Sequence, residues 1–181
     1  MQPVPFDQNL VLTGYSGPGQ LALSRHAAER LRMPFMHFEA LVEARADLTL
    51  DEFRLRFGET RLKALESDVV SEIALARGSV LNISGHVLAQ LGVLERLQVN
   101  SVVVCLVATL DAVLRRLHIA MGARYHDPAE RERAIGILRR EWSVRGRPGV
   151  FEIDTSELSD NEVIDAAVAH WRQRSGVVDL G

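Results

Sequence analysis

A glycine-rich stretch near the N-terminus, GYSGPGQL at residues 14–21, has most of the features of a phosphate-binding loop. Gly14 and Gly19 have the spacing of the motif GxxxxGK[ST], but Gln20 and Leu21 occupy the positions of the lysine and the hydroxyl residue. The backbone N–H groups of such a loop attract an anion even without a charged side chain. The candidate cofactor-binding residues are Gly14, Gly17, Gly19, Gln20 and Leu21.

The loop lacks the two side chains that phosphoryl transfer uses. Gln20 brings no positive charge to the terminal phosphates, and Leu21 cannot ligate Mg²⁺. Lys63 is the only lysine in the chain and belongs to another predicted element, so no displaced lysine replaces the missing one. Arg25, one helical turn further on, is interpreted as a surface arginine.

The bulk composition is that of a soluble globular protein, and we expect a single domain over residues 1–181. A net charge of -3 gives no general attraction to nucleic acid or to an anionic membrane. No apolar run approaches the roughly 18 residues of a membrane span, and the N-terminus lacks a secretory pattern, so we expect a cytoplasmic protein. Cys105 lies in the apolar run SVVVCLVA and is predicted to be a buried strand thiol.

Alternating strand-like and helix-like segments predict parallel βαβ units. The predicted strands are residues 9–13, 33–38, 79–83, 101–108 and 150–154. The main predicted helices are residues 20–31, 59–77, 87–97, 110–121, 128–142 and 161–173. The fold class expected is therefore α/β, a three-layer α/β/α sandwich around a central parallel five-stranded sheet.

Four further patches, together with the glycine loop, carry a family resemblance. They are MPFMHFEALVE at 33–43, GETRLKALE at 58–66, SVLNISGHV at 79–87 and DPAERERAIGILRR at 127–140. In these patches the chain resembles shikimate kinase, which has a P-loop kinase fold similar to that of the nucleoside monophosphate kinases. The resemblance implies ATP and Mg²⁺ as cofactors and a place in aromatic amino acid biosynthesis.

The resemblance also assigns candidate roles to individual residues. It implies catalytic roles for Glu39 and for Arg124, which stands in a short lid region at about 117–127. It implies that the acid substrate is bound by Glu39, Lys63, Gly85 and Arg139, with Arg140 as the alternative to Arg139.

Most departures from the family pattern fall on residues that would take part in chemistry. His37 and Glu39 replace two aspartates, and Ser84-Gly85-His86 replaces a glycine triplet. Glu39 keeps a carboxylate but moves it by about one methylene, enough to disturb near-attack geometry. His37, His86 and Glu39 could form a transition-metal site. We prefer the interpretation that these residues changed after the pocket lost its original function, so no metal is predicted.

Two main functions remain open from the sequence, beside a third, which is a subunit or scaffold whose kinase-like surface mediates association. The first is a shikimate-kinase-like pseudoenzyme with a degenerate phosphate loop, retained to bind a small-molecule acid, a nucleotide or a partner protein. The alternative is an active ATP-dependent shikimate kinase, or a related kinase of a small hydroxy acid, with a noncanonical loop. Under the first hypothesis no cofactor is certain, whereas under the second ATP and Mg²⁺ are needed. The sequence leaves the oligomeric state open.

Overall fold

The computed structural model of the protein describes residues 7–15 and 17–176. Within these ranges the strands are β1 (Asn9–Gly14), β2 (Phe35–His37), β3 (Val80–Asn82), β4 (Ser101–Val107) and β5 (Val150–Asp154). The helices are α1 (Gln20–Leu31), α2 (Phe38–Ala46), α3 (Leu50–Phe57), α4 (Glu59–Ile73), α5 (Gly85–Leu88), α6 (Val93–Gln98), α7 (Leu110–Met121), α8 (Pro128–Glu141) and α9 (Asp160–Ser175).

The strands form one parallel sheet in the order β2-β3-β1-β4-β5. This confirms the predicted fold class, since the five strands alternate with helices that cover both faces. β4 is buried along its whole length and lies between β1 and β5, as its continuous apolar run SVVVCLV predicts. The register pairs Gly14 with Leu106 at the carboxyl end of the sheet, where β2 and β3 also end at His37 and Asn82.

The pleat of the sheet divides the core into two layers. Val11, Val103 and Cys105 face one side, which α2, α4, α5 and α6 cover. Leu12 and Leu106 face the other side, which α1 and α9 cover. Because successive strand side chains point to opposite faces, one sheet supplies the apolar surface of both layers.

Several element boundaries differ from the sequence predictions. β2 is shorter than the predicted 33–38, because Phe38 already belongs to α2 and is buried as part of that helix. The predicted helix 87–97 is two short helices, α5 and α6, separated by a turn. The predicted helix 59–77 ends four residues early, at Ile73. Periodicity located these elements but did not identify the turns that interrupt them.

None of the helices in the described part of the chain is long and apolar enough to cross a membrane.

The turn from β1 into α1 needs glycine for two different reasons. Gly14 has φ 83°, and a Cβ there would overlap with the carbonyl oxygen of Leu106 on the neighbouring strand. Gly19 has φ 94°, but a Cβ there would meet nothing within 4 Å. Gly14 is therefore required by close packing as well as by backbone conformation, whereas Gly19 is required by conformation alone.

This difference gives a matched pair of stability predictions. Gly19→Ala should lower the free energy of unfolding by about 1–2 kcal/mol, the cost of a left-handed alanine. Gly14→Ala should cost about 1–3 kcal/mol more, because overpacking adds to the same backbone strain. Urea unfolding followed by circular dichroism measures both values. Equal losses in the two variants would contradict the packing role of Gly14.

Cys105 lies in the centre of β4 and is fully buried. Burial raises the pKa of its thiol to about 12. The thiol should therefore stay protonated and unreactive toward a disulfide reagent at pH 8, until the protein unfolds. The buried, protonated thiol therefore contributes its full share to the free energy of unfolding below the pKa of the unfolded chain, which is about 8.5. This contribution is lost as the pH rises through the pKa of the folded protein. The rate at which the Cys105 thiol reacts with the disulfide reagent is measured in native buffer and in denaturant. A rapid reaction in native buffer would contradict the prediction.

Candidate functional site

A cleft of about 200 Å³ opens at the carboxyl end of the sheet. This is the edge where parallel α/β sheets generally bind ligands. Side chains and backbone from the β1–α1 turn, the ends of β2 and β3, and α8 line it. The lining residues are Gly14, Tyr15, Gln20, Leu21, His37, Glu39, Asn82, Ile83, Ser84, Ile137 and Glu141.

The glycine loop forms one wall of the cleft, and two side-chain hydrogen bonds, one from the loop and one from the residue after α8, hold it in shape. Gln20 donates from Nε2 to the carbonyl oxygen of Gly14 over 2.8 Å. Trp142 donates from its indole nitrogen to the carbonyl oxygen of Tyr15, also over 2.8 Å. The amide at the position of a phosphate-loop lysine is therefore bound to the loop that a phosphate would occupy.

Tyr15 lies on the wall between the glycine loop and α8. Burial, and secondarily the negative charge of Glu141, raise the pKa of its phenol. A phenol with a raised pKa stays protonated at neutral pH, so Tyr15 keeps an O–H group on the cleft wall.

Glu39, in the first turn of α2, extends its carboxylate to the turn after β3. Its Oε1 accepts a hydrogen bond from the backbone N–H of Ser84 over 3.2 Å. Its Oε2 lies 3.1 Å from His37 Nε2. Oε2 is buried and accepts no hydrogen bond from the described residues. One oxygen of Glu39 thus holds the turn after β3, and the other lies against the His37 ring.

The turn Ser84-Gly85-His86 is tied to the last residue of α8. Glu141 accepts from the Ser84 hydroxyl over 2.9 Å and from the Gly85 N–H over 2.7 Å. A Cβ at Gly85 would overlap with the main-chain carbonyl of Glu141, so the end of α8 lies directly on this turn. Nδ1 of His86 contacts the Ser84 hydroxyl and lies 3.6 Å from Glu141 Oε1. α8 therefore closes one side of the cleft.

The structure brings some of the candidate residues together and leaves others apart. Gly14, Gln20, Leu21, His37 and Glu39 all line the cleft. Gly17 and Gly19 shape the loop without lining the cleft, and Gly85 is buried beneath α8. The three basic candidates Lys63, Arg124 and Arg139 are exposed and do not line it, and neither does the alternative Arg140. Their proposed contacts with an acid substrate stay predictions.

Sequence reasoning missed five lining residues, which are Tyr15, Asn82, Ile83, Ile137 and Glu141. Ile137 and Glu141 are one helical turn apart on α8, whereas the family pattern directed attention to Arg139. Glu141 did leave a signal in the sequence. A carboxylate at the C-terminal end of a helix opposes the helix dipole, so it indicates a compensating partner elsewhere.

The histidines of the possible metal site are engaged in separate pairs. His37 lies beside Glu39, while His86 lies beside Ser84 and Glu141. Within residues 7–15 and 17–176, no group of three or more histidine, cysteine or acidic side chains is arranged to hold a metal ion.

One basic side chain, that of Arg116, packs against the glycine loop without lining the cleft. Arg116 of α7 packs against Gly17 and donates from Nη1 to the Thr155 hydroxyl over 3.0 Å. It lines a small hollow of about 40 Å³ together with Pro18 and Gly19. Arg116 is therefore bound to the β5–α9 connection and does not line the cleft.

The chain matches known proteins along most of its length. Residues 16–171 match the family model described as SKI, shikimate kinase. A shikimate kinase from Symbiobacterium thermophilum is 31% identical over 160 residues, which cover 84% of this chain and 90% of that protein. The chain belongs to the shikimate kinase family. Another relative, the shikimate kinase of Thermodesulfovibrio yellowstonii, is 23% identical over 93% of this chain and 97% of its own.

Solved structures agree with the fold of this shikimate kinase family member. The shikimate kinase from Acinetobacter baumannii, solved in complex with shikimate, has a TM-score of 0.73 at 21% identity and covers 96% of each chain. A gluconokinase from Sinorhizobium meliloti has a TM-score of 0.60 at 16% identity and covers 94% of this chain and 95% of its own. The shikimate kinase family normally uses ATP and Mg²⁺.

The link between Glu141 and the turn after β3 should contribute to stability. Glu141→Ala removes two hydrogen bonds to a charged acceptor and leaves the Gly85 N–H in a buried position without a partner. We expect a loss of about 1–3 kcal/mol in the free energy of unfolding. Glu132→Ala, on the exposed side of the same helix, is the control and should stay within about 0.5 kcal/mol of the parent. Chemical denaturation measures both, and equal effects would contradict the link.

Proposed function

We propose that this protein binds a small molecule in the cleft and has lost efficient phosphoryl transfer from ATP. The observation that carries the proposal is the hydrogen bond from Gln20 Nε2 to the Gly14 carbonyl oxygen. In a working phosphate loop, the side chain at this position carries a positive charge to the terminal phosphates. Here it is an uncharged amide that is bound to the loop itself.

Leu21 supports the same conclusion. It lines the cleft at the position where a serine or threonine hydroxyl would ligate Mg²⁺. A leucine side chain offers no oxygen, and Mg²⁺ keeps near-ideal octahedral coordination by oxygen ligands. The charge that migrates during phosphoryl transfer would then be stabilised by neither the lysine nor a side-chain-anchored metal ion. Loss of one such preorganised group alone typically costs about 10²- to 10³-fold in rate.

A pocket for a ligand nevertheless persists around these positions. Gln20, Glu39 and Glu141 are each tied to neighbouring backbone or side chains by hydrogen bonds. The cleft walls are therefore fixed before any ligand arrives, which lowers the entropic cost of binding. Retention of a built cleft together with loss of the transfer groups favours a binding function.

An active kinase of a small hydroxy acid is the second candidate. It is favoured by the Glu39 carboxylate, which lines the cleft and could orient an acceptor hydroxyl. It is also favoured by Gly19, which keeps the positive φ of a phosphate-binding turn. In this case the phosphates would be bound by the backbone N–H groups of the loop, without a lysine side chain.

Calorimetric titration with MgATP separates the two candidates. The native protein should show no saturable submillimolar binding, because the loop lacks the lysine charge and the metal-ligating hydroxyl. The double variant Gln20→Lys, Leu21→Ser should gain binding. The double variant Gln20→Met, Leu21→Ser is the matched control, since it also removes the Gln20 hydrogen bond but supplies no charge.

Release of ADP in the presence and absence of shikimate completes the experiment. The native protein should release ADP at the same background rate in both conditions. Submillimolar MgATP binding with acceptor-dependent ADP release in the native protein would overturn the proposal and establish the kinase.

A further inference from the structure

Two consecutive residues at the end of α8 reach two different walls of the cleft. Glu141 accepts hydrogen bonds from the Ser84 hydroxyl and the Gly85 N–H, in the turn after β3, over 2.9 and 2.7 Å. Trp142, the next residue, donates from Nε1 to the carbonyl oxygen of Tyr15 in the glycine loop over 2.8 Å. The end of α8 therefore bridges the glycine loop and the turn after β3.

The two walls are joined at their base through the sheet. β1 and β3 pair as far as Leu12 and Asn82, and the Ile83 N–H then donates to the carbonyl oxygen of Leu12 over 3.2 Å. Past this point each wall continues into its own turn. The bridge from α8 therefore connects parts of the two walls that lie beyond the paired strands.

Each wall also has a support of its own. Gln20 holds the carbonyl oxygen of Gly14 within the glycine loop over 2.8 Å. Glu39 holds the N–H of Ser84 in the turn after β3 over 3.2 Å. Separate opening of the two walls is therefore the alternative that an experiment must exclude.

The side chain of Trp142 is fixed by its surroundings. It packs against two buried hydrophobic clusters, one that contains Val144 and one that contains Leu138. The guanidinium carbon of Arg145 lies 5.0 Å from the centroid of the indole ring, and Arg145 Nε donates to Glu152 Oε2 on β5 over 3.2 Å. Packing of this kind restricts the rotamer of the ring, so the indole N–H keeps a fixed direction toward the loop.

We propose that Trp142 is a positioning residue that couples the glycine loop to the turn after β3, so that the two walls of the cleft open and close as one unit. The indole N–H fixes the Tyr15 carbonyl oxygen, and Glu141 fixes the turn from the adjacent position. A ligand that stabilises one wall then stabilises the other, because both are bound to the same helix end. The coupling belongs to the fold of the cleft, so it holds whether the cleft transfers phosphate or only binds a ligand.

Hydrogen exchange in the full-length protein without ligand tests the coupling. Trp142→Phe keeps an aromatic ring but removes the N–H donor to the glycine loop. The N–H groups of Ser84 and Gly85, in the other wall, should then exchange about fivefold faster, the change in an opening equilibrium that the loss of one hydrogen bond produces. NMR measures the rates under conditions in which exchange reports that equilibrium.

Trp171→Phe is the matched control. Trp171 is buried on α9, and its indole nitrogen donates to the carbonyl oxygen of Gln8 over 3.2 Å. It belongs to the core layer that α1 and α9 cover, and it does not line the cleft. The control removes the same chemical group from another helix, so exchange at Ser84 and Gly85 should stay within about twofold of the parent.

Glu141→Gln supplies the reciprocal measurement in a protein that keeps Trp142. It removes the charge that holds the turn after β3. Because coupling between two sites is reciprocal, the indole N–H of Trp142 should exchange about fivefold faster, while that of Trp171 should be unchanged. This variant decides the matter if Trp142→Phe does not fold.

Acceleration in both directions would support the coupling. The proposal is overturned if Trp142→Phe changes exchange at Ser84 and Gly85 no more than Trp171→Phe does, or if Glu141→Gln leaves the indole rate of Trp142 unchanged. No nucleotide is present in these measurements, so their outcome is separate from that of the MgATP titration. Walls that open separately would refute the coupling and leave the proposed function standing.

Discussion

The contact between the end of α8 and the turn after β3 determines the shape of the site. Glu141 binds the hydroxyl of Ser84 and the N–H of Gly85, and the backbone of α8 packs where any side chain larger than hydrogen at residue 85 would lie. Glu39 holds the same turn from the side of β2. Two carboxylates from distant parts of the chain thus fix one short loop. This arrangement gives the cleft both its closed side and its negative charge.

The two carboxylates have different relationships to a ligand. Glu141 is bound by the hydroxyl and N–H groups of the turn, so much of its hydrogen-bonding capacity is already used within the fold. Glu39 uses one oxygen in the fold and leaves the other without a hydrogen bond from the described residues. The second oxygen is buried and lies 3.1 Å from His37 Nε2. The contact of Glu39 with Ser84 therefore fixes the direction of a carboxylate that also faces the end of β2.

Much of the fold could be predicted from local sequence patterns. The parallel sheet followed from apolar runs such as 101–107, and α1 and α7 follow the predicted bounds because their periodicity is uninterrupted. The site was predictable where its residues stand at or just beyond the carboxyl ends of strands, as with Gly14, His37 and Glu39. The positions of Ile137 and Glu141 in the site were not predictable, because the face that a helix turns toward a cleft depends on how that helix packs against the whole domain. The hydrogen bond of Gln20 to its own loop was not predictable either, because it depends on the path of the backbone between Gly14 and Gln20 and not on residue type alone.

Gly14 shows that a residue of a sequence signature can be required by the fold itself. The turn out of β1 must pass beside the main chain of β4 with no room for a side chain, whatever the cleft binds. Gly14 thus meets a steric demand of the α/β architecture, whereas Gly19 meets a demand of backbone conformation alone. The residues at positions 20 and 21 carry no such demand and are free to change with the chemistry. In an unfamiliar chain of this architecture, the glycines identify the fold, and the two residues that follow them indicate whether it still handles nucleotides.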